Sequence, residues 1–209
     1  MAGSYQVVPN YYRRAHLDHF SRYRSPFYSA TFELDATALK AFLERRGLAV
    51  YLNLAYFFTR ALQAVEDFRY RLIDGQVVLY DELHLALTVP APGGRFSFCP
   101  LRFHPDLDEF NRLARPAMER ASSTVTLEGG PEPDYVYFTA LPKVPFTAFT
   151  HVVPDDPAAG QPRVAFGRFR EGGGRLQVPV ALLVNHLYID GAALGALAER
   201  AQAEFGGPR

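Results

Sequence analysis

The most apolar segment of the chain, residues 176–184 (LQVPVALLV), constrains the fold more than any other. A nearly continuous apolar run of this kind is typical of a central β-strand that is covered on both faces. Pro179 interrupts the run and lacks a backbone N–H, so it predicts a local bulge or an unpaired position. Because such a strand needs a layer on each face, we predict an α/β or α+β fold, with one large mixed β-sheet packed by helices.

Strand patterns recur along the rest of the chain. Strands are predicted at residues 28–34, 69–73, 76–80, 84–89, 95–99, 135–140, 146–152 and 164–169. The pair Asp74-Gly75 indicates a two-residue hairpin from which a meander continues, and Gly172 to Gly174 indicate a second hairpin turn. Residues 122–133 and 154–162 are rich in Ser, Thr, Gly, Pro and Asp, and are predicted to be loops.

Four helices are predicted between these strands. One opens at Asp35 and should stop at Gly47, which suits a left-handed cap. Residues 50–66 are apolar around most of the helix circumference, which predicts a central, buried helix. Residues 107–120 form a third helix, which Pro116 should kink or divide because it removes one backbone donor. The last helix covers residues 192–204.

Composition limits the classes of protein to which the chain can belong. Its 209 residues are 48% hydrophobic, which favours a single domain over residues 1–209. Lys plus Arg equals Asp plus Glu at 22 each, so no charge field favours nucleic acid or a membrane surface. Cys99 is the only cysteine, the histidines lack metal-ligand spacing, and no long apolar segment occurs. We expect a cytoplasmic protein with no metal, membrane or nucleic-acid partner.

The junction between the apolar strand and the last helix carries the clearest chemical signal. Asn185 and His186 leave the strand, and Asp190-Gly191 precede the helix. A histidine at such a point is shielded enough to be oriented and has a near-neutral pKa, so it is suited to act as a general base. In that reading Asp190 orients the loop. The alternative is that His186 is a satisfied core histidine and Asp190 an ordinary helix N-cap.

The spacing His-x-x-x-Asp-Gly at this junction resembles the signature of the chloramphenicol acetyltransferases and their relatives, the dihydrolipoamide acyltransferase cores and the peptide-synthetase condensation domains. The resemblance to the first branch extends over nearly the whole chain. It includes residues 12–16 (YRRAH), 66–69 (EDFR) with the following hairpin, 138–142 (FTALP) and 162–169. Length and element order also match. The resemblance implies the chloramphenicol acetyltransferase-like fold, an α+β two-layer sandwich.

Roles for individual residues follow from the same resemblance. His186 matches the general base, which takes a proton from an acceptor hydroxyl so that the oxygen attacks the thioester of acetyl-CoA. Thr139 stands where the family has a serine that hydrogen-bonds the oxyanion, although alone it could be an ordinary strand residue. Asp190 and Arg13 match a pair that supports the site, and Asn185 replaces the first histidine of a doublet.

The family also implies partners. Acetyl-CoA is the co-substrate, no cofactor is bound permanently, and the active site lies between subunits of a homotrimer. Arg168 and Phe169 stand where the family has a Lys-Tyr pair near the coenzyme channel, and Ala165 replaces a threonine near the oxyanion. Arg168 could attract CoA phosphates, or it could be a strand residue that faces solvent.

The acceptor pocket departs from the family at many positions. The residues assigned to it are His19, Phe20, Arg24, Ala86, Phe96, Phe98, Tyr137, Phe149 and His151. A phenol is missing at Phe20, whereas Phe98 adds bulk and Arg24 adds positive charge, so the pocket should be narrower and more basic. Three functions stay open: an O-acetyltransferase for chloramphenicol or a similar hydroxylated molecule, an acyltransferase with another acceptor or donor, and a non-catalytic small-molecule binding protein on the same trimeric fold.

Overall fold

The computed structural model describes residues 3–127 and 132–208. Its strands are β1 (Tyr5–Val7), β2 (Phe27–Asp35), β3 (Tyr70–Ile73), β4 (Gln76–Tyr80), β5 (His84–Ala91), β6 (Arg95–Leu101), β7 (Tyr135–Ala140), β8 (Arg163–Phe166), β9 (Arg170–Gly172) and β10 (Arg175–Asn185). Its α-helices are α1 (Arg14–Phe20), α2 (Thr37–Arg45), α3 (Val50–Gln63), α4 (Leu107–Ser123) and α5 (Gly191–Gly206). None of these helices is both long enough and apolar enough to cross a membrane.

A seven-stranded mixed sheet forms the centre of the fold. Its strand order is β2-β10-β8-β7-β5-β6, with β9 paired to β10 beside β8. Strand β7 runs parallel to both β5 and β8, and the other pairs are antiparallel. A three-stranded sheet, β1-β4-β3, is separate from it. The predicted class, a large mixed sheet packed by helices, is therefore confirmed.

The two faces of the large sheet have different surroundings. Val180, Leu182 and Val184 of β10 join the main hydrophobic core, which also includes the buried side of α3. The alternate residues point to the opposite side, which we call the open face. There Ala165 and Ala181 are covered by Phe146, from residues 141–162. Strand β10 is thus buried on both faces, as its apolar sequence predicts.

Several local predictions are confirmed by the backbone. Asp74 and Gly75 both have positive φ, at 49° and 76°, as the two-residue hairpin between β3 and β4 requires. Gly47 has a φ of 64° just after α2. The predicted meander is wrong, however, because the β3-β4 hairpin pairs with β1 and does not continue into β5. Strand pairing of this kind depends on distant residues, which local pattern does not report.

Pro179 is accommodated by an extra residue in the neighbouring chain segment. The pairing of β10 with β9 is offset by one residue from its pairing with β8, so residues 167–169 lie opposite residues 178–179. The Gly167 N–H donates to the Pro179 carbonyl at 3.0 Å. A Cβ on Gly167 would lie 2.7 Å from Pro179 Cγ and 2.8 Å from the Phe146 ring. The predicted irregularity is therefore present, and it is built around a glycine that allows close approach.

Other boundaries differ from the predictions. Residues 146–152 form no strand, because Phe146 instead packs its ring onto the open face. Helix α4 passes through Pro116 without division. The helix predicted over residues 50–66 ends at Gln63 and is followed by a 3-10 turn at Glu66–Arg69. Helix α2 begins at Thr37, and Asp35 accepts hydrogen bonds from its first residue. The loop predicted at 122–133 includes residues 128–131, which lie outside the described part.

Candidate functional site

His186 lies immediately after the last residue of β10, where the sheet ends. Its N–H donates to the Pro26 carbonyl at 2.8 Å, which fixes the backbone against the segment before β2. The half-buried imidazole stacks on Phe20 of α1, with centroids 4.0 Å apart and planes 9° apart. The centroid of the Tyr28 ring lies 4.7 Å from that of the imidazole, with the two planes tilted by 40°. The Nδ1 atom is buried and has no hydrogen-bond partner. The ring is thus held by two aromatic neighbours.

Asp190 connects the His186 loop to the segment before α1. Its Oδ2 lies 3.0 Å from Arg13 Nη1, and its Oδ1 accepts from the Ala193 N–H at 3.0 Å as the N-cap of α5. The Ala193 hydrogen bond, together with the Arg13 charge, holds the pKa of Asp190 below its usual value. Arg13 is buried, and Asp67 lies 3.9 Å from the same Nη1. One carboxylate therefore serves both as the helix cap and as the main counter-ion of a buried arginine.

Asn185 ties a long loop to the same place. Its buried Nδ2 donates to the carbonyls of Pro157 and Ala159 at 2.8 and 3.0 Å, and its Oδ1 accepts from the Leu187 N–H at 2.9 Å. The Tyr188 hydroxyl donates to the Ala158 carbonyl at 2.8 Å. The loop predicted at residues 154–162 is therefore present and is fixed to the His186 segment by two side chains.

Thr139 lies on the open face. It is aligned with Ala165 of β8, which is aligned with Ala181 of β10. On its other side, the Thr88 hydroxyl donates to the Thr139 hydroxyl at 3.5 Å. Thr139 is half-buried, whereas the alanines beside it are buried beneath Phe146. Thr139 is therefore the part of this row that a bound molecule can contact.

Thr139 and His186 do not meet within one chain. The row that contains Thr139 crosses β10 at Ala181, five residues before His186, and Thr139 lies two strands away from β10. With the rise and spacing of β-strands, the two Cα atoms are about 19 Å apart. The two residues that the family resemblance assigns to catalysis therefore lie at separate places in one chain.

Most of the residues assigned to the acceptor pocket lie on the Thr139 side. Tyr137 is two residues from Thr139 on the same face, and its ring is 6.3 Å from Phe98, which is 5.8 Å from Phe96. Ala86 is aligned with Tyr137.

The rings of Phe149 and His151 are 5.0 Å apart in the segment over this face, where His151 Nε2 lies 3.3 Å from the Ala181 carbonyl. Burial lowers the pKa of His151, so it is neutral near pH 7.

The remaining assigned residues lie elsewhere. His19 and Phe20 belong to the His186 side, where their rings are 5.0 Å apart. Arg24 is exposed between α1 and β2. Arg168 and Phe169 line a cavity of 890 Å³ beside β9 and β10, together with Lys40 and Arg175. Lys40 pairs with Glu44 and Arg175 lies 3.6 Å from Asp35, so exposed Arg168 is the lining cation without an ion pair among the described residues. Among the described residues, no three metal-ligating side chains form a group.

Four residues near these groups were not singled out from sequence: Tyr28, Asp67, Thr88 and Arg163. Tyr28 and Thr88 follow ordinary strand patterns, so nothing local marks them. Asp67 was noted only as part of a segment. Arg163 carried a usable signal, because it is a charged residue that begins the short strand β8, whose next three residues are buried and apolar. Its guanidinium carbon lies 4.8 Å from the centroid of the Tyr137 ring.

Comparison with known proteins gives a consistent result. The sequence model of the chloramphenicol acetyltransferase family matches residues 5–202. The chain is 28% identical to a chloramphenicol acetyltransferase of Bacillus pumilus over 197 residues, which covers 93% of this chain and 90% of that protein. It is 29% identical to one of Streptomyces acrimycini over 200 residues, which covers 94% and 91%.

Solved structures share the fold. A chloramphenicol acetyltransferase structure superimposes with a TM-score of 0.85 at 24% identity, covering 96% of this chain and 99% of that one. A dihydrolipoamide acetyltransferase of Azotobacter vinelandii gives a TM-score of 0.66 at 19% identity, covering 92% and 86%. The family match extends over nearly the whole chain, so this protein belongs to the chloramphenicol acetyltransferase family and is an acyltransferase.

Proposed function

We propose that this protein transfers the acetyl group of acetyl-CoA to a hydroxyl of chloramphenicol or a similar small molecule in the cytoplasm. One observation carries the proposal. His186 follows the central strand, and its ring contacts the rings of Phe20 and Tyr28. The Asp190–Arg13 ion pair fixes the loop that begins at His186. An oriented imidazole on a fixed loop is what general-base catalysis requires.

The chemistry is a direct transfer within a ternary complex. His186 accepts the acceptor's hydroxyl proton as the oxygen attacks the thioester carbonyl, and a C–O bond forms. The Thr139 hydroxyl donates a hydrogen bond to the oxyanion of the tetrahedral intermediate. As the C–S bond breaks, the imidazolium returns the proton to the CoA thiolate. Binding both substrates in one site supplies the proximity, so no acyl-enzyme is needed.

The active site is shared between copies of the chain in a homotrimer. The distance of about 19 Å between Thr139 and His186 supports this arrangement, because strand geometry cannot bring them together within one chain. The open face also exposes apolar groups that an interface would cover, with Val152 81% exposed and Phe96 48% exposed. In this arrangement, His186 of one copy faces the Thr139 side of the next.

Acetyl-CoA is the co-substrate, and no cofactor is bound permanently. The cavity beside Arg168 supports the assignment, since this exposed arginine suits the phosphates of CoA and Phe169 offers a ring for its adenine. Ala165, next to Thr139, lies between this region and the acceptor side.

The test is a thiol-release assay with acetyl-CoA and chloramphenicol, on wild type and His186→Ala. His104→Ala is a matched control, because this histidine lies just before α4 and belongs neither to the residues around His186 nor to those around Thr139. The proposal expects release of CoA by wild type and the control, and near-total loss in His186→Ala with an unchanged elution volume. Equal turnover by His186→Ala would contradict the proposed base. No release by well-folded wild type would favour another acceptor or a binding role.

A further inference from the structure

Arg163 stands on the open face in the middle of the acceptor side. It is aligned with Tyr137 on one side and Leu183 on the other. Because side chains alternate along β8, Arg163 shares a face with Ala165 while Val164 between them belongs to the main core. Arg163 is diagonal to Thr139, with Cα atoms roughly 8 Å apart by strand geometry. Arg163 therefore stands on the strand next to the proposed oxyanion donor, with its guanidinium over the ring of Tyr137.

Arg163 has no ion-pair partner in the part of the chain that the structure describes, and its Nε is buried without a hydrogen-bond partner. Its contact is with the Tyr137 ring, 4.8 Å from the guanidinium carbon. A ring face attracts a cation but does not satisfy its N–H donors. The terminal Nη atoms make no hydrogen bond to the described residues, so they can donate to an anion bound on this face.

The neighbouring groups leave this positive charge unopposed. His151 donates toward the Ala181 carbonyl and is neutral, because burial and the charge of Arg163 both lower its pKa. The other neighbours on the face carry no charge: Leu183, Phe98, Tyr137, Thr88, Ala86 and Ala165. Among the described residues of one copy, the groups around Arg163 therefore present one cation and no carboxylate.

We propose that Arg163 binds a carboxylate on the acceptor, so that this enzyme prefers acidic aromatic alcohols to neutral ones such as chloramphenicol. The planar guanidinium can donate two parallel hydrogen bonds to a carboxylate, and the stacked Tyr137 ring holds it in place. The aromatic wall made by Phe98 and Tyr137 fits a ring between the carboxylate and the reacting hydroxyl. This inference rests on the proposed function, because it takes the open face as the acceptor site.

The test compares two acceptors that differ only in charge, 4-(2-hydroxyethyl)benzoate and 4-(2-hydroxyethyl)benzamide. For wild type we expect kcat/KM to be ~10- to 100-fold higher for the benzoate, as is typical of hydrogen bonds to charged groups. In Arg163→Met the preference should vanish, mainly through a higher KM for the benzoate. Arg163→Lys should retain part of it. Arg45→Met removes an exposed arginine of α2 and should leave the preference unchanged.

Direct binding separates this inference from the proposed function. Calorimetric titration of the benzoate and the amide into each variant needs no acetyl transfer. Charge-dependent binding that Arg163→Met abolishes, without any turnover, would support the inference while the proposed activity fails. Turnover of both acceptors at equal rates by wild type would overturn the inference and leave the activity intact. The inference would also be overturned if well-folded Arg163→Met kept the preference for the benzoate. Equal binding of the benzoate and the benzamide by wild type would overturn it as well.

Discussion

Arg13 and Asp190 form an ion pair of unequal burial, with Nη1 and Oδ2 3.0 Å apart and side chains that are 5% and 37% exposed. The arginine cannot reach water easily, so it depends on its carboxylate partners. Asp67 is the second of these, 0.9 Å farther from the same nitrogen (3.9 against 3.0 Å). The pair connects the segment before α1 to the loop of His186.

Asp190→Asn should keep the N-cap of α5 but lose the charge, because an amide oxygen still accepts from Ala193. We expect a loss of about 1–3 kcal/mol in the free energy of unfolding, less than for a fully buried pair because Asp67 remains. Asp190→Ala should cost roughly 1 kcal/mol more, since the cap is lost as well. Urea unfolding at one protein concentration measures both. An equal loss of unfolding free energy in Asp190→Asn and Asp190→Ala would show that the N-cap of α5 contributes nothing.

Gly167→Ala should destabilise the protein by about 1–3 kcal/mol, because the added methyl would collide with Pro179 and Phe146. Gly172→Ala is the matched control: its Cβ meets nothing within 4 Å, so its effect should stay within about 0.5 kcal/mol. Thermal unfolding of both variants gives the comparison. A Gly167→Ala protein as stable as the control would contradict the close packing at this bulge.

Asn185→Ala should release the loop at residues 157–160 from the His186 segment. It removes two donors to that loop and the acceptor of the Leu187 N–H, which we expect to cost about 1–3 kcal/mol. Hydrogen exchange of the Ala158 and Ala159 amides should become faster in the variant. Tyr188→Phe, which removes one hydrogen bond to the same loop, should have a smaller effect in the same direction. Exchange rates identical to wild type would refute the coupling.

His84 should make stability depend on pH. Burial lowers its pKa in the folded protein; the Asp134 carboxylate opposes this and the Arg102 charge adds to it. The unfolded chain then binds the proton more readily, so the stabilisation is complete above the ordinary histidine pKa of about 6.5 and is lost as the pH falls below it. This residue contributes at most about 1.4 kcal/mol per pH unit.

His84→Gln tests that dependence, because its amide can still accept from the Phe103 N–H. Between pH 7.5 and 5.5, wild type should lose more stability than the variant in chemical unfolding. If the free energy of unfolding falls with pH equally in both proteins, His84 takes no part in the acid sensitivity.

Local sequence patterns predicted the elements that local physics determines. The Asp74-Gly75 turn needs two positive φ angles, the helix around Phe57 is apolar on nearly every side, and strand 135–140 was located with its correct bounds. The segment 146–152 has strand composition but forms no strand, because Phe146 is buried by packing its ring against the face of the sheet. Side-chain composition reports the need for burial and does not specify the partner.

The candidate site was predictable only where one chain segment carries it. His186, Asn185 and Asp190 lie within six residues, and their spacing marked them. Thr139 was identified through the family resemblance. Arg163 was missed although its charge at the start of an apolar strand was visible, and its position between Tyr137 and Leu183 depends on strand pairing. The separation of His186 from Thr139 likewise follows from sheet order, which no local pattern encodes.

The shared site is the central claim, and mixed oligomers test it most directly. His186→Ala and Thr139→Val are each expected to be impaired, the latter by ~100- to 1,000-fold for the loss of an oxyanion donor. When equal amounts are unfolded together and refolded, random assembly gives a site with both native residues at about a quarter of interfaces. We expect recovery to about a quarter of wild-type acetyl transfer. A chain carrying both substitutions, refolded with itself, should recover nothing. Activity no greater than the sum of the two separate variants would contradict a site built from two copies.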